Sequence, residues 1–247
     1  MSKIDKTQQI GITETGDPSF NLELFDDLCA ANIIVTKRLT DKLIDKLVEH
    51  KYKCILHISC TGMGGSKLEP LVPTKEETYS KFLKLKLSGF PVKQVVLRID
   101  PIIPTAKGIA TAMSVLKLFG NSGITRVRIS SMDMYKHVID RFNDENIPLP
   151  YETFHAPSNA ISELNNIIMG CAYMMNAKVE ACGEPGLKTT GCISEIDLEI
   201  LGLTDSVKLI GNADQRKGCQ CPSNKKQLIK RKPAPCEQRC LYCFWKD

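Results

Sequence analysis

Along the first 185 residues, short apolar runs alternate with amphipathic stretches. Residues 9–14, 32–37, 54–60, 95–100, 126–130 and 178–182 read as strands. Most of these runs are too uniformly apolar for a sheet with one wet face, and fit parallel strands covered on both sides. Helices are expected over 20–31, 41–50, 75–87, from Pro104 to Phe119, over 135–143 and over 158–175. In the second of these, Leu43, Ile44, Leu47 and Val48 recur at the spacing of one helical face. Strands separated by helices argue for parallel βα units, arranged either as an open doubly wound sheet or as a partial barrel. Both arrangements bind ligands at the C-terminal ends of the strands. The polar residues there, Glu14, Lys37, Ser59, Asp100, Ser130, Ser131 and Glu184, should line one mouth.

From Gly183 onward the periodicity gives way to a Gly-, Pro- and Lys-rich segment. The simplest division is a body over 1–185 and a cysteine-rich tail over 186–247 that folds across the mouth. The tail is basic: residues 216–247 hold nine Lys or Arg against two acids, in a chain of net charge +5. That charge suits a polyanion such as nucleic acid, offsets the charge of a thiolate cluster, or simply faces solvent. With 43% hydrophobic and 25% charged residues, the 247-residue chain has the composition of a globular protein with a real core. No apolar run reaches the roughly 18 residues of a membrane span, and Met1–Lys6 do not resemble a signal peptide. The expectation is a cytoplasmic protein with no membrane partner.

The cysteines change the picture most. Seven of eleven fall between Cys182 and Cys243, and the last three are spaced Cys236-x3-Cys240-x2-Cys243. Thiolates at that spacing suit an iron–sulfur cluster or zinc. A structural zinc site needs four ligands, and no histidine follows His155. A 4Fe–4S cluster held by three cysteines instead leaves one iron open. Spacing alone leaves cluster, zinc and disulfide as alternatives. Cys182, Cys192, Cys219 and Cys221 form a further set of four, suited to a closed second 4Fe–4S cluster, a zinc ion, or independent thiols. Cys29, Cys54, Cys60 and Cys171 lie in helical or strand runs and read as buried small hydrophobes.

The segment from Cys236 to Phe244, with Tyr242 just before the third cysteine, resembles the cluster motif of the radical S-adenosylmethionine superfamily. There the motif usually follows the first strand, whereas here it ends the sequence. The chain is similar to an uncharacterised group with the motif at the C-terminus, and distantly to spore photoproduct lyase. Val35-Thr36-Lys37, Ser59, Leu97-Arg98-Ile99-Asp100-Pro101-Ile102, Ser130 to Tyr135 and Gln215-Arg216 with Cys219 and Cys221 carry that likeness.

The resemblance implies a partial (βα)6 barrel. It also implies a 4Fe–4S cluster on Cys236, Cys240 and Cys243, with S-adenosylmethionine on the open iron. Reductive cleavage would then yield a 5′-deoxyadenosyl radical, making the protein a lyase or a hydrogen-abstracting modification enzyme. By the same analogy Lys37 and Ser59 meet the carboxylate and amine of S-adenosylmethionine, and Tyr242 the adenine. The loop from Thr61 to Ser66, with Gly62 and Gly64, would hold the methionine or ribose end, and the competing reading of Lys37 is a salt partner for a surface acid. A flavodoxin or ferredoxin would supply the electron, and the lyase likeness with the basic tail points to a nucleic acid or nucleotide substrate. The rival readings are a zinc-stabilised nucleic-acid-binding protein and an iron–sulfur electron carrier.

Other residues have plainer expectations. His57 packs inside a strand, His155 sits in a loop as a possible proton donor, and His50 and His137 face outward from helices. Arg98 and Asp100 share a strand face and should pair. Tyr135 packs at a helix start, and Trp245 would seal a cluster from water.

Overall fold

The computed structural model describes residues 6–213, 218–230 and 236–246. Seven strands form one sheet: β1 (Ile10–Ile12), β2 (Ala31–Thr36), β3 (Cys54–Ser59), β4 (Val95–Ile102), β5 (Arg126–Ser131), β6 (Lys178–Ala181) and β7 (Lys225–Gln227). Their spatial order is β6-β5-β4-β3-β2-β1-β7, and every neighbouring pair is parallel. From β1 to β6 each strand therefore lies beside its predecessor, with no reversal of direction across the sheet. Right-handed crossovers then place the connecting helices on one face.

The packing shows that face. Helices α1 (Asp41–Glu49), α2 (Lys75–Leu87), α3 (Ala106–Phe119) and α5 (Ser158–Met174) cover the outer side of the strands. Leu43, Leu47, Phe82, Leu85, Val115, Phe119 and Ile168 meet Ile34, Leu56, Leu97 and Val127 there. Alternation along each strand sends the next residues to the opposite face. Ile10, Ile12, Ala31, Ile33, Ile55 and Val96 form a second cluster with Cys192, Ile193, Leu198, Val207 and Cys221. The segment after β6, including α6 (Glu195–Leu201), thus fills the inner side of the sheet. A third cluster joins α4 (Lys136–Asp144), through Val138 and Phe142, to Met132, Met134 and Tyr242. No described helix is long and apolar enough to cross a membrane.

Local signals account for most boundaries. Thr40, Thr74 and Thr105 cap α1, α2 and α3 by accepting backbone N–H groups, and Glu77 completes a capping box with Thr74. The α-helix expected over 20–31 does not form. Asp17 caps a short 3₁₀ turn that opens with Pro18, and Asn21 starts another over Leu22–Asp27. Asn21 also donates from its side chain to the Asp17 carbonyl, the local bonding by which such residues compete with a helix. β4 continues through Pro101 to Ile102 rather than ending before the proline.

Beyond residue 185 lie α6 and β7, and β7 pairs with β1, placing Lys225 opposite Ile10. Three polar residues in a three-residue strand give no alternating pattern, so β7 had no signature of its own.

Candidate functional site

The strand register brings polar side chains together on the inner face. Ser59 lies opposite Arg98, Arg98 opposite Arg128, and Arg128 opposite Glu180. Above this row, at the C-terminal ends of the strands, is a cavity of about 520 Å³. Of the strand-end residues expected at one mouth, Glu14, Lys37, Ser59, Asp100, Ser130 and Ser131 line it. Glu184 instead accepts from the Ser131 N–H and hydroxyl, each at 2.7 Å, and burial raises its pKa. All seven late cysteines, Cys182, Cys192, Cys219, Cys221, Cys236, Cys240 and Cys243, reach the same wall. None of the eleven forms a disulfide.

The seven divide as four plus three. Cys236, Cys240 and Cys243 sit on consecutive tight turns, with the Arg239 N–H on the Cys236 carbonyl and the Cys243 N–H on the Cys240 carbonyl. Arg239 takes the left-handed conformation that tightens the first turn. Tyr242 anchors these turns in the third apolar cluster. Helix α4 holds them from outside: Arg141 donates to the carbonyls of Cys243 and Trp245 at 2.9 and 3.0 Å, and His137 Nε2 lies 3.2 Å from the Cys243 carbonyl. His137 is thus a contact of the cysteine segment rather than an outward-facing surface residue. Gln238 donates to Asp17, which also takes the Thr36 hydroxyl and the Lys37 backbone N–H.

Lys37 and Tyr242 meet each other. The ammonium donates to the Tyr242 hydroxyl at 2.7 Å and to Glu69 Oε1 at 2.8 Å, and the tyrosine hydroxyl also donates to Glu69. Burial opposes the charge on Lys37, yet Glu69 and the Cys240 sulfur hold its pKa above the ordinary lysine value. Its partner is a fully buried carboxylate, not a surface acid. Burial pushes the Cys240 thiol up to about 12, raises Cys236, and with Glu69 raises Tyr242. Gly62 and Gly64 do not line the cavity. A Cβ on Gly64 would stand 1.9 Å from the Pro73 carbonyl oxygen, so this glycine serves chain packing.

The other set gathers around Cys192. Its Sγ lies 3.7 Å from that of Cys182, and its N–H donates to Cys221 Sγ at 3.1 Å. Arg98 Nη1 donates to Cys192 Sγ at 3.3 Å, while the same guanidinium pairs with Asp100, as its strand position suggested. Hydrogen bonds from the neighbouring thiols, with Arg98 and Arg128 nearby, hold the Cys192 pKa well below the ordinary thiol value. Cys182 and Cys221 are correspondingly raised. Glu14 joins them: ligand atoms of Glu14, Cys192 and Cys221 lie within 4.8 Å of one another. Cys219 lines the cavity two residues before Cys221.

Among the remaining candidates, Cys54 and Cys60 are buried with thiols pushed up to about 12 by burial, as small core hydrophobes should be. Cys29 and Cys171 are half-buried. His155 pairs with Asp133 at 2.8 Å, and His50 stacks on Phe25. Tyr135 and Trp245 both reach the cavity wall. Gln215 and Arg216 lie outside the described residues. Sequence reasoning did not single out Glu69, Asp17 or Gln238, and it noted Glu14 only as a strand end. Isolated acids and amides in loops carry no spacing signal, and their partners lie far along the chain.

Fold and site define an α/β protein whose parallel sheet carries a thiol-rich cavity at the C-terminal ends of its strands. Residues 23–245 match the family described as DUF1848, a domain of unknown function, and the chain belongs to that family. No curated protein and no solved structure matches it.

Proposed function

We propose that the protein is a radical S-adenosylmethionine enzyme built on a partial (βα)6 barrel, with its cluster on Cys236, Cys240 and Cys243. One observation carries the reading: three cysteines at the superfamily's spacing face a cavity at the C-terminal mouth of a sequentially ordered parallel sheet. The donor set fits such a group, since three thiols on consecutive turns face open volume, with the Lys37 ammonium beside Cys240. When bound, the cluster would supply the electron that cleaves S-adenosylmethionine to methionine and a 5′-deoxyadenosyl radical.

The chain's own residues hold and shield this site. Arg141 and Gln238 fix the turns, and Trp245 helps close the wall, its indole N–H reaching the Glu14 carbonyl at 3.4 Å. Ser59, on the cavity wall at the end of β3, is a polar contact for the cofactor's amino acid end. Lys37 neutralises Glu69 and places positive charge at Cys240, so its part is to position Tyr242 and offset thiolate charge.

A nucleic acid or nucleotide is the substrate class that the lyase likeness suggests. Two of the tail's lysines are already spent internally, Lys225 on Glu14 and Lys226 on Asp27. A flavodoxin or ferredoxin is the reductant this chemistry calls for.

The test is anaerobic reconstitution with iron and sulfide, then incubation with S-adenosylmethionine and dithionite. The expected result is about four irons bound at the terminal motif, with 5′-deoxyadenosine released. Cys243→Ala should abolish the release. A terminal motif that takes up no iron, with no 5′-deoxyadenosine formed, would sink the proposal.

A further inference from the structure

The cysteine set around Cys192 is built differently from the terminal one. Cys182 and Cys192 follow β6, at one edge of the sheet, while Cys221 precedes β7 at the other edge and Glu14 follows β1 beside it. Yet the donor atoms of Glu14, Cys192 and Cys221 fall within 4.8 Å of one another, and Cys182 stands 3.7 Å from Cys192. Backbone packing enforces this approach. A Cβ on Gly191 would lie 2.6 Å from the Gln220 carbonyl oxygen, so only glycine lets these two segments touch.

We infer that Cys182, Cys192, Cys221 and Glu14 bind one tetrahedral zinc-type ion that joins the two ends of the sheet. The chemistry of the donors supports a single ion over a second cluster. At a zinc–sulfur distance of about 2.3 Å, two thiolates on one tetrahedral ion stand roughly 3.8 Å apart. The Cys182–Cys192 separation of 3.7 Å matches that edge. A cubane puts each thiolate on a different iron and so spreads them well beyond that separation, whereas zinc accepts a carboxylate among sulfur ligands. With Cys182 drawn in from its place beside Cys192 as the fourth donor, the coordination sphere closes, as in a structural site, and binding releases the remaining thiol protons to solvent.

The surroundings are those of metal ligands. Both sulfurs at the centre act as acceptors, Cys192 from the Arg98 guanidinium and Cys221 from the Cys192 N–H. Glu14 is oriented by Lys225 Nζ at 2.9 Å and Gln227 Nε2 at 2.7 Å, both on Oε2; among the described residues no hydrogen bond is seen on Oε1. Such outer contacts fix a ligating carboxylate. Three thiolates and a carboxylate on a divalent ion leave two negative charges, and Arg98 and Lys225 place positive charge at opposite ends.

This site is independent of the terminal motif, and metal analysis separates the two. Wild type and three variants are purified, given zinc, passed over a chelating resin, and analysed for metal. Wild type and Cys240→Ala should each keep about one zinc per chain, and Cys192→Ser should keep none. Glu14→Gln, a milder change, should lose zinc to a competing chelator at least about tenfold more readily. Cobalt in place of zinc should give the visible bands of a tetrahedral thiolate site, weakened in Cys192→Ser and unchanged in Cys240→Ala. Retention of zinc by Cys192→Ser, or about eight irons with no zinc after reconstitution, would overturn the inference. Loss of zinc in Cys240→Ala would do so too, whatever the outcome of the cofactor-cleavage assay.

Discussion

His57 is the clearest case of a residue whose position, not its type, decides its behaviour. It is fully buried on the inner face of β3, opposite Val35 and Val96, and neither ring nitrogen has a hydrogen-bond partner among the described residues. Burial, with Arg128 and Arg98 nearby, keeps its pKa well below the ordinary 6.5. The unfolded chain takes up a proton as pH falls below about 6.5, while the folded ring stays neutral. Stability therefore declines on acidification, by up to about 1.4 kcal/mol per pH unit from this residue. His57→Leu should shrink the stability difference between pH 7.5 and pH 5.5 by roughly 1 kcal/mol or more, read by urea denaturation. An unchanged difference would mean that the ring is protonated in the fold. The apolar run of 54–60 placed His57 in a strand; that its neighbours are guanidiniums follows only from the register of β3, β4 and β5.

At the scale of elements, α4 and the terminal turns form a clamp. The amphipathic pattern of α4 was readable, and Val138 and Phe142 are buried as it implies. Nothing in the pattern said that its polar side would carry the cysteine motif. Arg141 reaches the carbonyls of Leu241, Cys243 and Trp245, so one side chain holds the ends of three peptide units. Hydrogen bonds from a charged donor contribute about 1 kcal/mol or more each. Arg141→Leu should therefore populate an undocked tail, and tryptic cleavage after Arg239 should accelerate by roughly tenfold or more while global stability changes little. An unaltered cleavage rate would show that Tyr242 and Gln238 dock the segment without help.

Across the whole molecule, a buried ion network ties the inner filling to the sheet. Arg126 bonds Asp197 on α6 at 2.7 Å and Glu180 on β6 at 3.2 Å, and Arg128 bonds Glu180 at 2.7 Å. Glu180 and Arg128 are both essentially inaccessible. Removing one partner of such a network leaves charge uncompensated in the interior, and costs about 3–5 kcal/mol. Glu180→Gln should lower stability by about 3 kcal/mol, measured by chemical denaturation at neutral pH. A loss under about 1 kcal/mol would show that water reaches the guanidiniums.

The sequence by itself determined the six principal strands, the parallel class of the sheet, the mouth where its polar ends meet and the grouping of the late cysteines. Those features rest on periodicity and on spacings within a few residues, which the chain carries locally. Tertiary structure alone decided that the segment after Gly183 fills the inner face, that β7 joins the sheet beside β1, that Glu69 pairs with Lys37, and that Glu14 meets Cys192 and Cys221. Glu14 and Cys221 are some two hundred residues apart in the chain, and Gly191 meets Gln220 only because two backbones pack without a side chain between them. Such contacts follow from the fold's closure and leave no periodic trace in the sequence.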